Sequence, residues 1–198
     1  MTEKLFEFDK NQGAKRLAGI DEAGRGPLAG PVVCACCIMP LDEMIDGIND
    51  SKKVSEKKRE KLFEIIKEKA ISYSVSIVPC EVIDEINILN ATKQGMVDCV
   101  KNMSVVPDLI LVDAVKLPIE CNQRAIIKGD ATSYNIAAAS ILAKVTRDRI
   151  MRDLDKAYPQ YMFEKNKGYG TKVHIEAIRQ YGITEHHRKT FVKNFIEL

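Results

Sequence analysis

Four carboxylates in this chain stand where an apolar segment stops. Asp21 and Glu22 follow Leu17-Ala18-Gly19-Ile20, and Asp113 follows Leu109-Ile110-Leu111-Val112. Asp130 sits in Lys128-Gly129-Asp130, just ahead of a helical pattern. A carboxylate beside a hydrophobic strand is costly to bury unless a cation neutralises it. In open α/β sheets, sites form beyond the ends of strands. Asp21 and Asp113 therefore converge if their strands are neighbours, with Asp130 arriving from its helix. Such a group cannot all ionise at neutral pH without a counter-charge. Magnesium or manganese suits it, because hard divalent ions take oxygen ligands. No His or Cys lies next to the acids, which disfavours zinc. Adjacent strand residues face opposite ways. Asp21 and Glu22 thus reach one ion together only if the strand breaks, as Gly24 and Gly26 would allow; otherwise Glu22 has its backbone carbonyl to offer. Taken singly, each Asp is also an ordinary turn or cap residue.

The acids are followed at once by Gly24-Arg25-Gly26. Alone this is an ordinary turn. It fails the dinucleotide pattern GxGxxG and lacks the GK[ST] of a phosphate-binding P-loop. Net charge is only +2, but basic residues cluster locally. Ser51-Lys52-Lys53 leads into Lys57-Lys58-Arg59, Lys165, Lys167 and Lys172 flank Gly168-Tyr169-Gly170, and His186-His187-Arg188-Lys189 lies near the end. Each cluster alone reads as a solvated face; three on one face would hold a phosphate backbone.

The elements that must position these groups are legible in outline. Arg16–Ile20 and Gly30–Met39 read as strands, and Ser55–Ala70 as a helix with Ser55 as N-cap. Ser72–Val78 alternates Tyr73, Val75 and Ile77 against serines, as a half-buried strand does. Helical pattern returns from Pro79 to Met103. Leu109–Val112 is apolar throughout, which marks a strand covered on both faces. Gln123–Ile127 reads as a short strand, and Thr132–Ala157 as a long helix whose Ala137-Ala138-Ala139-Ser140 segment is narrow enough to approach a sheet closely. Thr171–Tyr181 is a last helix, capped by Thr171 and stopped by Gly182. The pattern gives an α/β mixed sheet with helices on its faces.

The 198 residues suit one domain, with 1–15 as a short N-terminal extension. A 45% hydrophobic fraction supports a sizeable core. No apolar run is long enough to span a membrane, and no signal core opens the chain, so the expectation is a cytoplasmic protein. The six cysteines (Cys34, Cys36, Cys37, Cys80, Cys99, Cys121) form no CxxC pair and read as buried, reduced, structural thiols.

The segment Gly19-Ile20-Asp21-Glu22-Ala23-Gly24-Arg25-Gly26-Pro27-Leu28-Ala29-Gly30-Pro31 resembles the opening motif of bacterial ribonuclease HII. Asp50-Ser51-Lys52-Lys53, Val112-Asp113, Lys128-Gly129-Asp130, the run from Ile136 to Lys144, Lys167-Gly168-Tyr169-Gly170-Thr171 and His187-Arg188 agree with it in order. The resemblance spans about Leu17 to Phe191. The related type HIII enzymes carry an extra N-terminal domain and lack the GRG form.

The resemblance implies an RNase H-like fold: a central five-stranded mixed sheet flanked by helices, with a C-terminal helical part from about 160 to 198 that contributes to substrate binding. It implies a monomeric endonuclease that cuts RNA in RNA–DNA hybrids and acts at single ribonucleotides in duplex DNA, using two Mg2+ or Mn2+ ions. Asp21, Glu22, Asp113 and Asp130 resemble the metal-binding catalytic acids, Gly24, Arg25 and Gly26 the sensor of the ribose 2′-hydroxyl, and Tyr169 the tyrosine stacking on the next sugar. Lys52, Lys53, Lys128, Lys144, Arg188, Ser51 and Ser133 are candidate phosphate contacts, which position without specifying. Lys144 is equally placed to pair with Asp148 one turn on. His187 is a further phosphate candidate, and His174 reads as structural. The C-terminal tail is a candidate contact for a replication clamp.

Overall fold

The computed structural model describes residues 2–196. The chain opens with a helix, α1 (Thr2–Lys10), then β1 (Leu17–Ala23) and β2 (Val32–Ile38). Next come α2 (Glu56–Lys69), β3 (Ser72–Val78), α3 (Cys80–Ile86) and α4 (Ile88–Lys101). Strands β4 (Leu109–Asp113) and β5 (Gln123–Ile126) lead to the long α5 (Tyr134–Ala157). Helices α6 (Phe163–Asn166), α7 (Lys172–Tyr181) and α8 (Lys189–Val192) close the chain. The five strands form one mixed sheet in the order β3-β2-β1-β4-β5. β1 runs antiparallel to β2 and parallel to β4, and β4 parallel to β5.

Helix α5 crosses one face of the sheet. Its Ala137, Ala138, Ala139 and Ser140 are buried against β1 and β2, as their small volume allows. Gly19 completes the fit: a Cβ there would overlap the backbone of Asn135. The other face of the sheet is covered by α4, where Ala18, Ile20, Ile110 and Val112 meet Met96 and Cys99. A separate apolar cluster of Leu28, Met151, Tyr161, Phe163, Ile178 and Val192 binds the C-terminal helices to α5.

Residues 2–10 are not a loose extension. Leu5 and Phe6 enter the main core, and Phe6 meets Tyr134 edge-on at 5.2 Å. Buried Asp9 accepts from both the backbone N–H and the side-chain amide of Asn135, at 2.8 Å each. The alternation of charges in TEKLFEFDK masks this apolar face. The helical stretch from Pro79 to Met103 is broken at Asn87, whose φ of 67° ends α3 and whose side chain caps α4. Ser55 takes the N-cap position of α2 without a side-chain capping bond. Thr171 caps α7 and Gly182 ends it. Five cysteines are buried, whereas Cys121 is exposed. No helix among the described residues is long and apolar enough to cross a membrane.

Candidate active site

Three short-range rules bring the acids together. β1 and β4 are adjacent and parallel, with Ile20 paired to Val112. Asp21 and Asp113 therefore come next to each other where the two strands end. Alternation puts both on the α5 face, because Leu17, Leu109 and Leu111 pack there with Ile136. Asp113 Oδ1 then accepts the backbone N–H of Gly129 at 2.6 Å, which ties β4 to the turn Gly129–Ala131 that carries Asp130.

β1 does not break between the acids. It runs as a strand to Ala23, so Glu22 leaves the sheet on the face opposite Asp21. The backbone N–H of Glu22 donates to Asp21 Oδ1 at 2.7 Å. Among the described residues, no three acids, histidines or cysteines form a ready-made coordination shell. The four acids share an electrostatic field, and their all-oxygen donor set fits hard divalent ions such as Mg2+ or Mn2+.

That field is unbalanced. Burial pushes the Asp21 carboxyl well above the usual carboxylate range, and the charges of Glu22, Asp113 and Asp130 push it further. Glu22 is raised by burial and by Asp113, with Arg25 pulling the other way. Asp130 is raised by burial, by Asp50 and by Asp113. Two exposed cations stand at ion-pair distance: Arg25 at 3.7 Å from Glu22 and Lys52 at 3.8 Å from Asp130. Exposed pairs of this length are worth about 0–1 kcal/mol. Burial tends to lower Lys52, but Asp130, Asp50, Asp21 and Asp113 together raise it.

Beside the acids opens a cleft of about 330 Å³, lined by Asp21, Glu22, Gly24, Arg25, Gly26, Ser51, Lys52, Lys144, Arg147 and Tyr169. Its floor is the 24–31 loop, held by two buried arginines. Arg147 on α5 donates to the carbonyls of Pro31, Lys167 and Ala29, at 3.0, 2.9 and 3.1 Å. Arg188 donates to those of Gly30, Arg25 and Gly24, at 2.8–3.0, 2.8 and 2.6 Å. Gly24 is required here: its φ is +97°, and a Cβ would overlap the Arg147 guanidinium. Gly168 carbonyl accepts from Leu28 N–H at 2.8 Å, which clips the Gly168-Tyr169-Gly170 segment to the same loop. The Tyr169 ring stands against Gly26 and is 47% exposed.

Three expected phosphate contacts, Arg188, Ser133 and His187, are corrected by this arrangement, and the others are placed by it. Arg188 is 0% exposed and spends its guanidinium on loop carbonyls, so it supports the loop from below. Ser133 is fully buried and caps α5 through the N–H of Ile136. His187 is buried against His174. Lys144 lines the cleft but also pairs with Asp148 at 2.7 Å, the alternative its spacing offered. Lys53 pairs with Asp50 at 3.7 Å. Lys128 caps the Asp130 turn in a left-handed conformation, outside the cleft lining. Ser51 is buried at the cleft wall, where its N–H donates to Ser140 Oγ.

Sequence reasoning overlooked Arg147 and Asp50. Arg147 lies on the inward stripe of α5 with Ser140, Ala143 and Met151, and a charge on such a stripe was the available signal. Asp50 stands in the quoted Asp50-Ser51-Lys52-Lys53 segment, where it caps Lys52 N–H at 3.0 Å and faces Asp130.

The sequence profile of the family described as Ribonuclease HII matches residues 18–195. A protein from Acetivibrio thermocellus named Ribonuclease HII is 59% identical over 194 residues, covering 97% of this chain and 76% of that protein. Among solved structures, the ribonuclease H2 from Pyrococcus horikoshii OT3 is 30% identical with a TM-score of 0.76, covering 91% of this chain and 96% of that one. The PCNA:RNase HII complex from Archaeoglobus fulgidus gives 27% identity and a TM-score of 0.71, over 88% of this chain and 94% of that one.

Proposed function

The chain belongs to the ribonuclease HII family, metal-dependent hydrolases of RNA in RNA–DNA hybrids, and from that premise we propose that it also cuts on the 5′ side of single ribonucleotides in duplex DNA. Asp21, Asp113 and Asp130 through their carboxylates, and Glu22 through its backbone carbonyl since β1 stays unbroken, are the groups that would hold Mg2+ or Mn2+. Held there, two such ions would supply an activated water and offset charge on the departing 3′-oxygen, the chemistry that would leave 3′-hydroxyl and 5′-phosphate ends.

This chain's own groups do the rest. The arginine-braced loop turns the carbonyls of Gly24 and Arg25 down onto Arg188. The upper peptide edge of Gly24-Arg25-Gly26 is thus left open toward the minor groove, where a 2′-hydroxyl distinguishes RNA from DNA. Tyr169 offers its ring to the following sugar, against which a second 2′-oxygen fits poorly. Lys52 and Lys144 line the cleft and meet phosphates, with Ser51 beside them, while Lys128 on the Asp130 turn lies outside the lining. Arg25 bridges the acids and the sensor, 3.7 Å from Glu22. The C-terminal part, 160–198, carries Tyr169 and completes the binding surface. The tail is proposed to contact a replication clamp, as the PCNA:RNase HII complex from Archaeoglobus fulgidus supports; residues 197–198 lie outside the described residues.

The observation that carries this reading is Asp21 beside Asp113 at the ends of two parallel strands, with Asp130 tied to the same rim. The test is cleavage of a labelled duplex containing one ribonucleotide, with Mg2+ or Mn2+ and then with EDTA. Metal-dependent 3′-hydroxyl products 5′ of the ribonucleotide are expected. A duplex left intact while an RNA–DNA hybrid is cut would reject the single-ribonucleotide activity.

A further inference from the structure

Two histidines outside the acid rim form a chain whose protons can be placed. His174 on α7 and His187 ahead of α8 are 0% and 2% exposed, with their Nε2 atoms 3.1 Å apart. The backbone N–H of Thr184 points at Nδ1 of His187 at 3.0 Å, so that nitrogen accepts. His187 therefore carries its proton on Nε2. Nδ1 of His174 faces the carbonyl oxygen of Tyr169 at 2.9 Å, which only accepts. His174 therefore carries its proton on Nδ1, and its Nε2 receives the proton of His187. Both rings are neutral, and the bonds run in one direction: Thr184 N–H to His187, His187 to His174, His174 to the peptide oxygen of Tyr169. Any other tautomer sets two donors or two acceptors against each other.

The rings are clamped as well as bonded. Tyr161 stacks on Phe163 at 5.3 Å, with His187 4.9 Å from Tyr161 and His174 5.4 Å from Phe163. Among the described residues no carboxylate is bonded to either ring. The Tyr169 side chain is half exposed, so its aim comes from its backbone. That backbone is fixed by Asn166 O, which accepts its N–H at 2.9 Å, and by its own carbonyl, which takes Thr171 N–H at 2.8 Å and His174.

We infer that His174 and His187 are positioning residues for Tyr169: their directed pair of hydrogen bonds sets the peptide that aims the ring across the cleft at Gly26. The inference rests on the reading of Tyr169 as a sugar platform. It makes the ring's placement depend on a contact some distance from the substrate, and it gives two neutral buried histidines a part in choosing between a ribonucleotide junction and a continuous hybrid.

Two substitutions separate this from a purely structural role. His174→Asn keeps an N–H at the place of Nδ1; His174→Gln puts its amide at the Nε2 end and loses the bond to Tyr169. On a duplex with one ribonucleotide, H174Q is expected to lower kcat about five- to tenfold, the size of one lost hydrogen bond. KM should stay within about twofold, the uniform RNA–DNA hybrid should suffer less, and H174N should keep most of the junction rate. Equal losses in the two variants, or equal losses on the two substrates, would overturn the inference. Y169A run alongside isolates the underlying reading. An unchanged substrate ratio in Y169A sinks the platform itself. A changed ratio there with none in H174Q sinks only the role of the histidines. A measurement on the unmodified protein needs no variant to fold: nitrogen NMR of the imidazoles should show His174 protonated at Nδ1 and His187 at Nε2, and the opposite pair of tautomers overturns the chain.

Discussion

The rim of acids and the arginine-braced loop lie side by side and are built on opposite principles. At the rim, buried and half-buried carboxylates face one another, and two exposed cations answer them weakly. In the loop, two buried guanidiniums have no bonded carboxylate partner among the described residues, yet Arg147 and Arg188 meet six backbone carbonyls between them. The first region holds negative charge that its own exposed cations leave unbalanced. The second satisfies its own polar groups and stays rigid. On the proposed function, the pair teaches that holding a metal and reading a sugar would place different demands on one cleft: unspent charge in one part, fixed geometry in the other.

The difference breaks most sharply at Asp21. Asp21→Asn should reduce metal-dependent cleavage by about a hundred- to a thousandfold, because it removes a ligand of the cation that would offset the transition-state charge. Without metal, the same variant should be more stable than the unmodified protein by roughly 0.5–2 kcal/mol, because it relieves repulsion at a strained site. The sign follows from linkage. Carboxyls raised in the folded state bind protons more tightly there, so they favour folding at low pH and lose that contribution as pH rises from the usual carboxylate values through their raised ones. Thermal unfolding with EDTA checks this, and a D21N protein that melts lower would contradict it.

The loop should behave the other way. Arg188→Ala leaves the carbonyls of Gly24, Arg25 and Gly30 without their donor. A loss of about 2–4 kcal/mol is expected, since bonds to charged groups are worth about 1.5–3 kcal/mol each and do not add fully. Denaturant unfolding measures it; a change below half a kcal/mol would show that the loop stands without its brace. A smaller and more selective effect is expected at Gly24→Ala, which needs a left-handed φ and the space of the Arg147 guanidinium. Cleavage at single ribonucleotides should fall more than cleavage of a uniform hybrid, as parallel assays would show.

The mildest effect is a pH dependence. Burial lowers His174, and burial with His174 beside it lowers His187 to about 4. A histidine depressed in the folded state stabilises fully above its unfolded value of about 6.5 and loses that contribution as pH falls toward its folded value. The histidines' contribution to the melting temperature should therefore fall between about pH 6.5 and 4, opposite in sign to that of the acids, and His187→Gln should make the melting temperature fall less, or rise more, over that range than in the unmodified protein. An unchanged slope in that variant would assign the acid sensitivity to other groups.

What the sequence made legible was local. The uniform apolarity of Leu109 to Val112 marked a central strand, and the acids at strand ends marked the rim. The small residues of α5 announced close contact with the sheet. What it hid depends on distant backbone. Arg188 read as a phosphate contact because its type suits one, but its partners are carbonyls more than 150 positions earlier. Arg147 was hidden for the same reason. The docking of α1 was masked because Asp9 finds its partner only at Asn135. The unbroken course of β1 past Glu22 is set by its pairing with β2, where Glu22 meets Cys34 and Ala23 meets Val33.

The most direct test is a calorimetric titration of the protein with Mn2+, beside the same titration of Asp21→Asn. The unbalanced rim predicts saturable binding that raises the melting temperature of the unmodified protein, with binding and shift both lost or sharply weakened in the variant. Equal Mn2+ binding by the two proteins would mean that the acids at the end of β1 and β4 are not where the metal is held.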